Sequence, residues 1–244
     1  MRQILLLLCI AFTCQISIAQ PPQSKFLYFN DLNNAIRDGK IKKPEALAEF
    51  KMWMAWFREH YQPPPKDAPS VTVFPLAGYD AKAIGGKNGS GYVASGYDYF
   101  DGNRHGGHPA HDIFIHDKNQ DCKDDATGQA VDVVSLTEGV VIATEMNWDP
   151  QSGQRGGKYI WIYVPASDML LYYAHNQDIL VRTMATVKPG DIIGRVGRTG
   201  LNAAKKRSPT HLHLMALKID ADGYPRPVNI YEMLSAAGVK KGPR

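Results

Sequence analysis

The spacing of apolar residues changes near residue 70, and before that point it is helical. Residues 31–61 repeat apolar side chains every three or four positions. Gly39 and Pro44 divide this stretch, which predicts a short helix capped by Asp31 and a longer helix from Pro44. Residues 63–65 are prolines that end the second helix and form a stiff linker. We expect the apolar stripe of the second helix to pack in a core; it comprises Leu47, Phe50, Met54 and Phe57.

After residue 70, short apolar runs alternate with Gly, Asn and Asp, and long helical periods disappear. Frequent strands joined by short turns favour an antiparallel sheet. Residues 188–191 read Lys-Pro-Gly-Asp and predict a tight turn. The predicted fold class is therefore mostly β (α+β), an antiparallel sheet with a small helical N-terminal region. The predicted strands are residues 71–76, 112–115, 131–134, 139–143, 159–164, 169–173, 192–196 and 209–217.

Residues 1–19 have the composition of a secretion signal. A positive start is followed by a short apolar run and by small residues at positions 17 and 19. We expect cleavage after Ala19, a secreted or periplasmic mature chain and no membrane anchor in it. A lipid anchor on Cys14 is a poorer reading, because Phe12 and Thr13 do not suit a lipidation motif. The predicted organisation is a signal at 1–19, a helical region and linker at 20–66, and one domain at 67–244.

The bulk composition is that of an ordinary globular protein. Hydrophobic residues make up 44% and charged residues 21%, and the formal net charge of +4 is too small to indicate nucleic-acid binding. Three cysteines occur, and Cys9 and Cys14 would leave with the signal. Cys122 would then have no partner for an internal disulfide. Its acidic surroundings disfavour a nucleophile, because nearby carboxylates raise a thiol pKa.

Two loops stand out by their charge. Residues 117–129 are acidic and begin like a calcium loop, but Cys122 and Gly128 stand where such a loop needs Gly and Glu. We therefore predict a solvated acidic loop. The second loop carries Lys205, Lys206 and Arg207, which either rim a cleft or are simply solvated.

Four residues in two distant segments have metal-binding character. On the predicted strand 209–217, His211 and His213 are two positions apart and therefore share a face. His108 and Asp112 come from a loop and the strand that follows it. Two imidazoles and a carboxylate leave one position open, as a catalytic zinc ion requires. Each pair alone is more often a surface feature, and His175, after residues 172–174, alone reads as a surface residue at a strand end.

The ordered set of motifs resembles the lysostaphin/LytM-type zinc endopeptidases over about residues 104–217. The motifs are His108-x-x-x-Asp112, Tyr173-Ala174-His175, Gly190, Gly194-x-Val196-Gly197-x-Thr199-Gly200 and His211-Leu212-His213. The resemblance implies one Zn²⁺ per chain, held by His108, Asp112 and His213. It also implies catalytic roles for His175 and His211, and a compact antiparallel sheet with the site in a groove.

The resemblance implies peptidoglycan peptides as the substrate. A peptidoglycan-binding or hydrolase-activating module without cleavage, and a zinc peptidase acting on secreted proteins, are the alternatives. Two further histidines compete as ligands: His111 would point to the opposite face from Asp112, and His105 would lie near the rim. The helical region before residue 62 could position the enzyme, cover the groove or pack against the sheet.

Overall fold

The computed structural model describes residues 24–65, 67, 70–205 and 208–242. The predicted signal at 1–19 lies outside these residues, as do Lys206 and Arg207 of the basic loop. Within the described part of the chain, no helix combines the length and apolar character needed to cross a membrane.

Two helices precede a large sheet, and two short helices lie within and after it. The helices are α1 Phe29–Arg37, α2 Lys43–His60, α3 Leu201–Ala204 and α4 Tyr231–Ala236. The strands are β1 Ala110–Phe114, β2 Asp132–Val134, β3 Gly139–Glu145, β4 Lys158–Val164, β5 Met169–Ile179, β6 Thr186–Val187, β7 Ile192–Val196, β8 His211–Ile219 and β9 Pro225–Val228.

The N-terminal helices follow the predicted short-then-long pattern. Pro44 lies in the first turn of α2, where its missing N–H removes no helical hydrogen bond. The predicted capping role of Asp31 is wrong, because α1 begins at Phe29 after Tyr28. Asp31 lies inside the first turn, where the positive end of the helix dipole stabilises its carboxylate. The predicted stripe of α2 is confirmed as core: Phe50, Met54 and Phe57 are fully buried, and Leu47 is partly buried against the same cluster.

The strands form one antiparallel sheet, which confirms the predicted fold class. Its main order is β1-β8-β5-β4-β3-β6; β7 pairs with β2 and β5, and β9 pairs with β8. The predicted strand at 71–76 is wrong, because this segment forms only isolated bridges from Val73 to Gly238 and from Leu76 to Val133. Pro75 offers no N–H for a regular ladder. Strand β9 is not predicted from the sequence, because two of its four residues, Pro-Arg-Pro-Val, are prolines.

The two faces of the sheet bury different cores. Ile160 and Ile162 of β4 face a mainly aliphatic cluster, whereas Tyr159, Trp161 and Tyr163 face an aromatic one. Helices α1 and α2 cover the aromatic face, where rings of α2 contact rings of the sheet. The ring centroids of Phe57 and Tyr163, for example, are 5.7 Å apart. The structure thus shows that the N-terminal helices pack on the sheet, on the face from which the site also projects.

The acidic loop at 117–129 is only partly solvated. Asp117 and Asp124 are buried, so the predicted solvation is wrong for these two carboxylates. The Asp117 carboxylate accepts hydrogen bonds from the backbone N–H groups of Asp121, at 3.0 Å, and Cys122, at 2.9 Å. It also accepts one from the Thr210 hydroxyl at 2.6 Å. The loop is therefore built around a carboxylate that reaches the start of β8.

Candidate metal centre

Strand pairing brings the two predicted half-sites together. In the β1–β8 ladder, Asp112 is directly opposite His213, and in the β5–β8 ladder Ala174 is opposite the same histidine. Side chains of paired residues on one face lie close to each other. His213 therefore lies between Asp112 on one side and the neighbour of His175 on the other.

Three side chains converge on one point with ligand atoms that lie within 4.8 Å of one another: His108, Asp112 and His213. The Asp112 Oδ1 is 3.0 Å from His213 Nδ1 and 3.2 Å from His108 Nε2. All three residues are partly exposed, so the point they surround is open to solvent. The predicted ligand residues thus meet in space, with one oxygen and two nitrogens directed inward.

His108 is fixed by the loop that precedes β1. Its backbone exchanges two hydrogen bonds with Val93, at 2.7 and 2.8 Å. Its Nδ1 bonds to the Gly91 carbonyl at 3.0 Å, which makes Nδ1 the protonated nitrogen and leaves a lone pair on Nε2. Gly107 adopts a left-handed φ of +69°, and a Cβ there would lie 2.5 Å from the Ser95 carbonyl oxygen. Only glycine fits this turn without displacement.

The two predicted catalytic histidines are held in the same way. His211 Nδ1 bonds to the Pro209 carbonyl and His175 Nδ1 to the Thr199 carbonyl, each at 2.7 Å. In each ring the Nδ1–H is donated, so Nε2 carries the lone pair. The His211 Nε2 is 3.6 Å from Asp112 Oδ1. The ring centroids of His175 and His211 are 4.9 Å apart, which places two proton acceptors beside the ligand cluster.

His175 does not end its strand, as the sequence predicts, but lies inside β5. Its φ is +65°, and the pairing of β5 shifts register around it. A histidine in this region of φ is uncommon, and the bulge turns its side chain toward the site. Its backbone N–H bonds to the Gly156 carbonyl at 2.9 Å, which closes the bulge against the loop after β3.

Burial and charge set the protonation of the site. Burial raises the pKa of Asp112, but the imidazoles of His108 and His213 beside it outweigh this effect and hold that pKa far below the ordinary carboxyl value. The hydrogen bond to Asp112 raises the pKa of His108. Burial lowers the pKa of His211, and burial together with the charges of His211 and His213 lowers that of His175 more strongly. Near neutral pH both predicted catalytic imidazoles are therefore neutral and able to accept a proton.

The cluster opens into a cavity of about 370 Å³. One wall comes from α1, which contributes Asn33, Ile36 and Arg37, and another from the loop between α3 and β8, which contributes Ser208. Of the described residues in that loop, Ser208 borders the cleft. Tyr97, Arg155 and Tyr172 are among the lining residues that the sequence does not single out. None of them carries a local motif; Tyr172 adjoins one but reads as a plain strand aromatic.

The competing histidines lie where the spacing predicts. His111 is buried on the other face of β1, where its Nε2 bonds to the Asn229 side chain at 3.0 Å. His105 lines the cavity at the rim and is absent from the ligand cluster. Burial and the charge of Asp117 raise the pKa of Cys122, which agrees with its reading as a poor nucleophile.

One segment of the chain matches a known protein family. Residues 120–227 match the model described as Peptidase family M23. This segment is similar to that family, and the resemblance to LytM-type enzymes is confirmed. The matched range contains His175, His211 and His213 but begins inside the acidic loop, just after His108 and Asp112. No curated protein matches the chain in sequence.

Three of the solved structures that the chain resembles illustrate the extent of the similarity. A suggested glycyl-glycine endopeptidase lytM from Ruminococcus gnavus shares 23% identity over 91% of this chain and 90% of its own, with a TM-score of 0.45. A zinc containing peptidase from Vibrio cholerae shares 20% over 70% of this chain and 41% of its own, at 0.39. Lysostaphin from Staphylococcus simulans shares 19% over 66% of this chain and 54% of its own, at 0.40.

Proposed function

We propose that this chain is a secreted zinc metalloendopeptidase that hydrolyses peptide bonds in peptidoglycan stem peptides or cross-bridges. One observation carries the proposal: the ligand atoms of His108, Asp112 and His213 meet at one point, and two neutral imidazoles lie beside it. A structural role for the cluster would not need the two additional proton acceptors.

The donor set fits zinc. Two imidazole nitrogens and one carboxylate oxygen form a three-ligand set that leaves a fourth position for water or substrate. Because His108 Nδ1 is engaged by a backbone carbonyl, its Nε2 is held toward the shared point. When bound, zinc would lower the pKa of a coordinated water from about 15.7 toward roughly 7 and polarise a peptide carbonyl.

We assign proton transfer to His211 and His175, the two histidines beside the ligand cluster. His211 accepts a proton from the attacking water, because Asp112 lies 3.6 Å from its Nε2 and favours the protonated ring. Burial and two neighbouring imidazoles make His175 the weaker base of the pair. We assign it to assist, by stabilising the oxyanion or passing a proton to the leaving amine.

The proposed substrate and location follow from the family and from the N-terminal segment. A chain exported past the membrane meets peptidoglycan, and the family resemblance implies cleavage of its peptides. N-terminal sequencing of exported protein checks the secretion step, with cleavage expected after Ala19. Retention of residues 1–19 in the exported chain would contradict it.

The first prediction separates metal binding from chemistry. His213→Ala is expected to lose both zinc, measured by elemental analysis, and release of amino groups from purified peptidoglycan. His211→Ala is expected to keep one zinc per chain and lose turnover, because His211 is not one of the three proposed ligands. His116→Gln, with a side chain that is 82% exposed, is the matched control and should match wild type.

Each outcome decides between the proposed classes. Full activity in His211→Ala would overturn the role assigned to that residue. Zinc binding and peptidoglycan binding without released amino groups would favour the non-cleaving module. Cleavage of casein but not of peptidoglycan would favour a peptidase of secreted proteins, and mass spectrometry of the fragments would fix the bond.

A further inference from the structure

Arg155 differs from the other charged side chains that line the cavity. Arg37 also lines it, but Asp38 and Glu145 both pair with its guanidinium, at 2.7 and 2.6 Å. Asp112 is engaged by imidazoles. For Arg155, in contrast, no carboxylate of the described residues lies within 4.0 Å, and its side chain donates only to the His105 carbonyl, at 2.6 Å.

The position of Arg155 ties it to the reacting centre from two sides. Its guanidinium reaches the carbonyl of His105, three residues before the ligand His108. Its backbone immediately precedes Gly156, whose carbonyl holds the N–H of His175. The unpaired cation thus lies in the wall between a proposed ligand and a proposed catalytic histidine.

Arg155 is a half-buried residue whose guanidinium has no anionic partner among the described residues, so it is available to bind an anion. Its planar donors match a carboxylate, and charge-assisted hydrogen bonds of this kind are strong in a partly desolvated site. Helix α1 also walls the cavity, and the Gly102 turn lies against it, since a Cβ on Gly102 would be 2.4 Å from the Ile36 carbonyl oxygen.

We propose that Arg155 binds a carboxylate of the substrate within one or two residues of the scissile bond, so that the site selects acidic peptides. The inference rests on the proposed function for the identity of the substrate as a peptide. The carboxylate has two possible sources, a free chain terminus or an acidic side chain, and both offer Arg155 the same chemistry.

Calorimetry of peptide binding to the zinc-loaded chain tests the proposal. The probes are a blocked alanine–glycine tetrapeptide with a free carboxyl terminus, its terminal amide, and the amide with one glycine replaced by glutamate or by glutamine. We expect wild type to bind at least one acidic peptide about 10-fold or more tightly than its neutral partner. The terminal pair and the glutamate/glutamine pair identify the source.

Two variants assign the preference to the side chain. Arg155→Gln should reduce the preference to less than about 2-fold, whereas Arg155→Lys should retain part of it as a point charge. Arg182→Gln, which changes an exposed arginine after β5, is the control and should keep the full preference. Equal binding of acidic and neutral peptides by wild type, binding of none, or a preference that survives Arg155→Gln would overturn the inference.

Turnover measured on the same peptides and on peptidoglycan keeps the two proposals apart. Cleavage without a carboxylate preference would leave the proposed function standing and remove this inference. A carboxylate preference without cleavage of any substrate would do the reverse. A loss of preference with unchanged circular dichroism separates recognition from unfolding in Arg155→Gln.

Discussion

Single residues at unusual backbone angles hold the reactive rings in place. His175 sits at a φ of +65°, and Gly200 faces it at a φ of +102°. A Cβ on Gly200 would lie 2.3 Å from the Arg155 carbonyl oxygen and 2.9 Å from His175 Nδ1. Because both groups belong to the site, the absence of a side chain at position 200 is a requirement of its geometry.

Gly200→Ala should therefore damage activity through His175. We expect lower turnover with zinc content retained, because the ring moves while the ligand set does not. Gly153→Ala is the matched control: its φ is +72°, but nothing lies within 4 Å of the added Cβ. It should cost only about 1–2 kcal/mol for the left-handed backbone and leave turnover unchanged. Equal turnover in the two variants would contradict this account.

For single residues, the sequence predicts the features that depend on the two-residue repeat of a strand. The spacing of His211 and His213 places both on one face, and His111 opposite Asp112, from the alternation of a strand alone. The bulge at His175 could not be predicted, because the local sequence gives no sign of a positive φ there. Arg155 escapes prediction for another reason: an unpaired arginine is recognisable only when its neighbours in space are known.

Elements are joined at the site by buried polar groups. The Thr210 hydroxyl, which is fully buried, donates to Asp117, and Arg198 donates to Thr210 at 3.2 Å and to the Ser208 carbonyl at 2.8 Å. These contacts connect the acidic loop, the segment after β7 and the residue that immediately precedes β8. The acidic loop, which looks like a solvated insertion in the sequence, thereby supports the strand that carries His211.

Thr210→Val tests this support. The substitution conserves volume but leaves the buried Asp117 carboxylate without one donor, which is expected to lower the free energy of unfolding by about 1–3 kcal/mol. Chemical denaturation of chelator-treated protein measures it without a contribution from metal. Thr186→Val, at an exposed position of β6, should change stability by less than about 0.5 kcal/mol. Similar stabilities for both variants would refute the role of the network.

A second junction predicts sensitivity to acid. Burial raises the pKa of Asp98, but hydrogen bonds from Lys43 and Tyr224 outweigh it and leave the pKa below the ordinary value of 3.8. The stabilisation from a depressed carboxyl pKa is present above the unfolded value and is lost as pH falls through the folded value. In Asp98→Asn, the free energy of unfolding should therefore fall less steeply than in wild type as the pH drops below about 4.

Denaturation curves across this range check the acid response. Asp222→Asn, which removes an exposed carboxylate in the β8–β9 turn, is the control and should follow wild type. If Asp98→Asn loses stability as steeply as wild type on acidification, the junction of Lys43 and Tyr224 with Asp98 does not contribute as described.

Across the whole molecule, the proposed metal would join β1 to β8 and so stabilise the native sheet. A ligand that binds only the folded state at 100 times its dissociation constant contributes about 2.7 kcal/mol. For a chain of this size, chelation should lower Tm by roughly 5–10 °C, at about 2–4 °C per kcal/mol. Calorimetry with and without zinc measures it, and His213→Ala should show no zinc-dependent shift. An unchanged Tm in wild type would count against the site.

At the same scale, the position of the helices is what the sequence leaves open. The stripe of Phe50, Met54 and Phe57 predicts a buried face but not the surface that buries it. That surface is the aromatic side of the sheet, assembled from strands far apart in the chain, such as Tyr163 and Leu217. The division of the chain near residue 66 stays a prediction, since the described contacts run from the helices directly onto the sheet.

The register of β1 against β8 has a consequence for assembly of the protein. A slip of one residue would set Ile113 opposite His213 and turn one member of the proposed ligand set into the aliphatic core. The ion can then be captured only by chains whose strands are correctly aligned. Zinc added during refolding would therefore bind and stabilise the correctly aligned molecules. Misaligned molecules would remain without the ion and would unfold and refold.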